Sequence, residues 1–164
     1  MTGEVTVWRL DSRRYSKAAL SGSGAFKYGG RWNLQGTRVV YCAESRSLAA
    51  MELLVHVEDF EDLVAMEWRA TAITLPGDVI ERPLQYPQSW RTYPYSTTTQ
   101  KFGSEWVRSH RSLALRVPSA VVPGEFNFLV SPAHPGFFKL KFSSPEPFGF
   151  DARLARRPNQ GHLG

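Results

Sequence analysis

The sequence predicts an α+β fold. Strand-like runs are short, only two or three segments carry helical patterning, and the two kinds do not alternate as the βαβ units of a doubly wound sheet would. The 164 residues suffice for one domain with one core and are too few for two. Residues 1–157 are taken as that domain and 158–164 as a frayed tail.

Val5 to Leu10 reads as a short strand. Ser12 to Gly36, rich in glycine and polar residues, reads as an extended loop with turns. Thr37 to Ala43 is an apolar run and predicts a buried strand. A helix is predicted from about Ser45 to Val57, with Ser45 or Ser47 as its N-cap and Leu48, Ala49, Met51, Leu53 and Leu54 as helix formers. Leu63 to Leu75 reads as mixed strand and approach loop, and Asp78 to Arg82 as a further strand. Arg82 to Lys101 has no periodicity and reads as a long surface loop, a kind of segment that is often functional. Ser104 is expected to cap a short helix carrying Trp106 and Val107. Ser112 to Val117, Asn127 to Val130 and Phe137 to Phe142 are strand candidates, and Pro145 to Phe150 reads as a turn-rich return.

A hydrophobic share of 42% and a charged share of 21% exclude disordered and fibrous classes. Cys42, the single cysteine, cannot form an internal disulfide and reads as a small buried hydrophobe. His56, His110, His134 and His162 show no metal-ligand spacing, so no metal is expected. No secretory leader and no run of about 20 apolar residues is visible, which predicts a cytoplasmic protein without a membrane span. The net charge of +5 suits an anionic small substrate, an acidic partner or nucleic acid. Much of the excess lies at Arg153, Arg156 and Arg157, which read equally as a solvated basic tail.

Four features could carry chemistry. The stretch Gly22 to Asn33 holds four glycines with Lys27 and Arg31, and matches neither the dinucleotide fingerprint nor the P-loop. Its glycines would let the backbone approach a diphosphate, or it is a turn with an exposed arginine. Glu52 lies in a helix that is apolar nearly all round, so its carboxylate needs a partner, with Arg31 the obvious candidate. Otherwise it shares a narrow polar stripe with His56. Tyr41, just before that helix, reads alone as a core tyrosine, and Ser119, after a strand and Pro118, as a turn serine.

Together these segments resemble a known family. Trp8-Arg9, Gly29-Gly30-Arg31-Trp32-Asn33, Val40 to Ser45 and Leu48 to His56 follow the order and spacing of the RES domain. Trp90 to Pro94, Gly103 to Trp106, Leu115 to Asn127, Pro132 to Pro135 and Phe148 to Leu154 continue the match, so nearly the whole chain is covered. The arginine, glutamate and serine that name the family match Arg31, Glu52 and Ser119. One position departs: Ser131 stands where asparagine is expected before Pro132, which puts a local turn or hydrogen bond in question.

The resemblance implies an ADP-ribosyltransferase-like fold, with a split, twisted β core and a few short helices around an NAD cleft. It implies a toxin of a type II toxin–antitoxin module, acting on NAD+ as substrate by hydrolysis or by phosphorolysis with inorganic phosphate. The implied partner is an Xre-like helix-turn-helix antitoxin that blocks the active site. DNA would be met only through that antitoxin, and a homodimer or larger toxin–antitoxin complex is expected. On this reading Glu52 stabilises charge at the ribose anomeric carbon, while Arg31 clamps the diphosphate or ribose side and holds Glu52 ionised. Tyr41 meets the nicotinamide half, and Ser119 and Asn127 hydrogen-bond the ribose or carboxamide. Arg9 is a second phosphate contact, and Lys27 and Tyr28 close over the ligand. One rival reading is an ADP-ribosyltransferase that modifies a protein. Another is a basic RNA-binding or RNA-cleaving domain that uses Phe26, Tyr28 and Trp32 for stacking, although the basic residues form no stripe and no histidine pair suggests cleavage.

Overall fold

The computed structural model describes residues 3–156. The predicted tail 158–164, Arg157 and His162 lie outside the described residues. In chain order the elements are β1 (Glu4–Ser12), α1 (Ser23–Tyr28), β2 (Val40–Ala43), α2 (Arg46–Leu54), α3 (Phe60–Ala65) and β3 (Trp68–Pro76). They are followed by β4 (Ile80–Glu81), α4 (Thr97–Ser109), β5 (Ala114–Pro118), β6 (Phe126–Val130), β7 (Lys141–Phe142) and β8 (Glu146–Phe148). Short 3-10 turns occupy Arg13–Ala18, Gly77–Val79, Phe137–Lys139 and Ala152–Ala155. No helix among the described residues is long and apolar enough to cross a membrane.

The strands form one sheet in the order β4-β5-β6-β2-β1-β3-β7, with β8 also paired to β3. β4 and β5 run parallel and the other pairs are antiparallel. The sheet has a seam. β1 pairs with β3 over nine residue positions, from Glu4↔Pro76 to Ser12↔Trp68, whereas β1 and β2 meet only at Trp8↔Ala43. The α+β class and the split core anticipated from the sequence are both present.

Alternation along the strands sends side chains to opposite faces. Phe128 and Val130 of β6 join Val7, Val40, Cys42, Ile73 and Leu75 in one core layer. Leu129 points the other way, to Leu115, Val117, Trp32 and the α4 residues Trp106 and Val107. α2 buries Leu48 and Ala49 on Leu10, Ala43 and Ala70. Its N-cap is Ser45, whose Oγ accepts from the Leu48 amide at 3.0 Å.

Several boundaries differ from the sequence reading. The expected loop Ser12–Gly36 contains α1, entered at Gly22 (φ +69) and left at Gly29 (φ +70), two glycines in the left-handed region that punctuate it. α3, capped by Asp59, precedes β3 where an approach loop was expected. Of the predicted strand Thr37–Ala43 only Val40–Ala43 pairs, and Phe137–Phe142 is a 3-10 turn followed by a two-residue strand. Similarly, Gly77–Val79 turns before β4 begins. The loop after Arg82 ends at Ser96, because α4 starts at Thr97. Ser104 therefore caps nothing. It lies fully buried within α4, where its Oγ accepts from the Leu34 amide at 2.9 Å. Gly103 sits so close to Trp32 that an added Cβ would collide with the Trp32 carbonyl, which explains a glycine in mid-helix.

Candidate active site

Glu52 follows Ala49 by three residues and Leu48 by four, so it shares their face of α2 and lies over the sheet. Asn127 of β6 pairs with Ala43 and Val117, and alternation turns its side chain to that same face. Ser119 follows β5 directly. Glu52 Oε1 accepts from Ser119 Oγ at 2.8 Å and from Asn127 Nδ2 at 2.6 Å. Ser119 is itself fixed, because its Oγ accepts from the Val121 and Val122 amides at 3.1 and 3.0 Å. One carboxylate oxygen is thus held by two side chains, while Oε2 makes no hydrogen bond among the described residues and is not sealed from solvent. Beside it, Asn127 Oδ1 is a buried acceptor with no partner among the described residues.

Arg31 is not the partner of Glu52. Its Nη1 donates to the carbonyls of Trp90 and Thr92, both at 2.9 Å, and its guanidinium lies 4.9 Å from the centroid of the Tyr95 ring. These acceptors come from the segment between β4 and α4, which crosses the molecule as a strap. Trp90 anchors the strap by stacking on Trp32 at 6.3 Å, and the Tyr86 hydroxyl donates to the Arg116 carbonyl at 2.8 Å. A guanidinium carries five N–H donors. Arg31 spends two on the strap, leaving Nε and Nη2 without partners among the described residues. The carboxylate instead takes its hydrogen bonds from neutral groups, Ser119 and Asn127.

Tyr41 donates to Asn33 Oδ1 at 2.7 Å and accepts from the Trp32 amide at 3.1 Å. Gly30 makes room for this, because a Cβ there would stand 2.7 Å from the Tyr41 hydroxyl. Burial pushes the Tyr41 phenol up, against the pull of the Trp32 amide and Arg31. The hydroxyl is therefore a neutral brace that shapes the Gly29–Asn33 turn, with Asn33 Nδ2 tying the turn to the Ala25, Leu34 and Thr37 carbonyls.

The other predicted contacts scatter. Arg9 alternates with Trp8, whose ring meets Arg46 at the start of α2, so Arg9 projects from the opposite sheet face to Glu52. Its guanidinium donates to the Tyr41 carbonyl at 3.0 Å and pairs with Asp11 at 2.9 Å, and the structure does not bring it to Glu52. Lys27 and Tyr28 are exposed at the end of α1, the ammonium 5.1 Å from the ring centroid. Cys42 is buried and its thiol is pushed up to about 12 by that burial, so it is not a nucleophile.

Two residues were missed. Tyr95 lies under Arg31, and burial raises its phenol, with the Glu52 carboxylate adding to the rise and Arg31 opposing it. His56 accompanies Glu52 one helical turn on. The spacing of Glu52 and His56 and the aromatic run Trp90 to Tyr95 were the available signals.

The RES domain family model matches residues 6–151. A protein named Toxin Res from Yersinia enterocolitica is 41% identical over 150 residues, covering 90% of this chain and 98% of that protein. The Prs ADP-ribosylating toxin of a Sphingobium species is 36% identical, covering 93% of this chain and 98% of that protein. Among solved structures, the M. tuberculosis MbcT–MbcA toxin–antitoxin complex contains a chain with the same fold, at a TM-score of 0.69 and 18% identity over 91% of this chain and 86% of that one. With a family model spanning its sheet, its strap and the Glu52 constellation, and relatives aligned over nine-tenths of its length, the chain belongs to the RES-domain family.

Proposed function

We propose that the protein is the toxin of a toxin–antitoxin pair and cleaves the nicotinamide–ribose bond of NAD+. The observation that carries this reading is the Glu52 carboxylate, gripped on Oε1 by Ser119 and Asn127 with Oε2 left open. NAD+ supplies a C–N bond whose leaving group, nicotinamide, departs neutral and leaves positive charge on the ribose. A preorganised carboxylate oxygen stabilises such charge without reorganising at the moment of reaction. The open Nε and Nη2 donors of Arg31 suit the diphosphate. Asn127 Oδ1 suits a hydroxyl or amide donor of the substrate. The phenols of buried Tyr41 and half-buried Tyr95 are both raised by burial and stay neutral, so neither acts as a general base. In hydrolysis, water adds to the anomeric carbon and gives ADP-ribose, nicotinamide and a proton; in phosphorolysis a phosphate oxygen takes that carbon. The partner on this reading is an Xre-like antitoxin that covers the cleft, in a cytoplasmic complex built on a toxin dimer.

The test is NAD+ consumption by purified protein with and without phosphate, for wild type and Glu52→Gln. The amide oxygen of glutamine still accepts from Ser119 and Asn127, so substrate should bind while turnover falls at least about a hundredfold. Near-normal turnover in that variant would make Glu52 a structural residue. Phosphate dependence separates the two acceptors. The ADP-ribosylating toxin among the relatives favours one second reading, transfer of ADP-ribose to a protein. Labelled NAD+ in cell extract, read by mass spectrometry, distinguishes it.

A further inference from the structure

His56 is exposed and lies one turn beyond Glu52. Its Nδ1 is 2.6 Å from the Glu52 backbone carbonyl and its Nε2 is 3.2 Å from the Tyr95 hydroxyl. A carbonyl only accepts, so Nδ1 carries the proton. In the neutral ring Nε2 is then the acceptor, and the Tyr95 hydroxyl donates to it. The other face of this contact is functional: the Tyr95 ring supports the Arg31 guanidinium at 4.9 Å, and Arg31 is bonded to the strap at Trp90 and Thr92. A continuous path therefore runs from the backbone of Glu52 through His56 and Tyr95 to Arg31.

We propose that His56 is a positioning residue that fastens the tyrosine strap to α2, and so fixes Arg31 relative to Glu52 across the cleft. The proposal rests on the reading of the cleft as the NAD+ site. Tyr93 braces the same ring edge-on, with centroids 5.5 Å apart, whereas among the described residues His56 supplies the side-chain hydrogen bond between the strap and the Glu52 backbone. Because Arg31 is the group suited to the diphosphate, loosening the tie loosens substrate binding before it touches the chemical step. Both bonds compete with water at the surface, so the effect is several-fold rather than orders of magnitude.

The experiment measures NAD+ turnover for wild type, His56→Phe, Tyr95→Phe and the double variant, with His56→Gln as the conservative replacement. The KM for NAD+ should rise about fivefold in each single variant while kcat stays within about twofold, and the double variant should be no worse than either single one. His56→Gln, whose amide can still accept from the Tyr95 hydroxyl, should recover part of the loss. Additive effects, a fall in kcat at constant KM, or no change in either constant would overturn the tie. A second readout does not depend on activity. Long-range nitrogen–proton NMR should find the wild-type imidazole in its Nδ1–H tautomer, and Tyr95→Phe should relax that preference. An Nε2–H tautomer in wild type would overturn the proposal even in an active enzyme. If wild type consumes no NAD+, the reading of the cleft fails, while the tautomer signal still decides whether the tie exists.

Discussion

Ser119 Oγ and Glu52 Oε1 are joined at 2.8 Å across 67 positions of sequence, and the same serine oxygen accepts from two backbone amides. The hydroxyl thus locks the turn after β5 and aims the carboxylate at the end of α2. Ser119→Ala removes both functions at a site that is only 2% exposed. It should cost about 1–3 kcal/mol of stability, because two amides lose their acceptor. Turnover should fall in step, because Glu52 is then held by Asn127 alone. Urea denaturation beside steady-state kinetics checks both. Full stability would mean that the turn is held by other bonds.

Arg31 should behave differently from Glu52. Its Nη1 is committed to the Trp90 and Thr92 carbonyls, which orients the rest of the guanidinium as a fixed fork. On the proposed NAD+-cleaving reading, Arg31→Ala should raise the KM for NAD+ about tenfold to a hundredfold, the usual range for losing a charged hydrogen-bond donor. Arg31→Lys should not restore it, since an ammonium lacks the planar fork and cannot serve both carbonyls and a diphosphate. An unchanged KM in the alanine variant would reduce Arg31 to an anchor of the strap.

Gly30 tests the brace. A Cβ at this position would meet the Tyr41 hydroxyl at 2.7 Å and Asn33 Oδ1 at 2.9 Å. Gly30→Ala should destabilise by about 1–3 kcal/mol, as overpacking of a tight site does. In a Tyr41→Phe background the nearest atom is gone and the penalty should shrink. A thermodynamic cycle over the four proteins measures the coupling. An identical penalty in both backgrounds would show that the clash lies elsewhere.

Much of this site was legible in the chain. A lone carboxylate at helical spacing from Leu48 marked Glu52, because burying it required partners. Period-two alternation in Phe126 to Val130 could place Asn127 opposite Phe128 without revealing which face holds the site. The partner of Glu52 was misread for a physical reason. Charge complementarity pointed to Arg31, but the acceptors of Arg31 are backbone carbonyls on a strap whose path has no periodicity. The start of α4 was hidden likewise. Thr97-Thr98-Thr99-Gln100 has poor helix propensity and forms helix because Thr99, Gly103, Ser104 and Trp106 are packed inward. Arg9 shows the converse: alternation in β1 already separated it from Trp8 and Leu10, but it takes the tertiary contacts, Trp8 with Arg46 of α2 and the pairing of β2 with β6, to show that Glu52 lies on the Trp8 side.

The staple at the far end of the sheet gives a pH-dependent prediction. Glu81 of β4 receives Arg111 through Nε at 2.8 Å and Nη2 at 2.9 Å, and Ser112 Oγ at 2.9 Å. The Arg111 hydrogen bonds foremost hold the Glu81 carboxyl below its ordinary value of 4.5; burial, the next largest influence, opposes them, and the Ser112 hydroxyl adds to the lowering. The folded protein thus binds this proton less tightly than the unfolded chain. The resulting stability is fully present above the ordinary value and is lost as pH falls through the lower folded value. Glu81→Gln removes the charge at every pH. Near neutrality wild type should exceed it by about 1 kcal/mol or less, because the pair is partly solvated. The two stabilities should converge as pH drops below about 4.5, and chemical denaturation at a series of pH values follows the convergence. A gap that persisted undiminished into acid would assign the stabilisation to the shape of the glutamate side chain rather than to its charge.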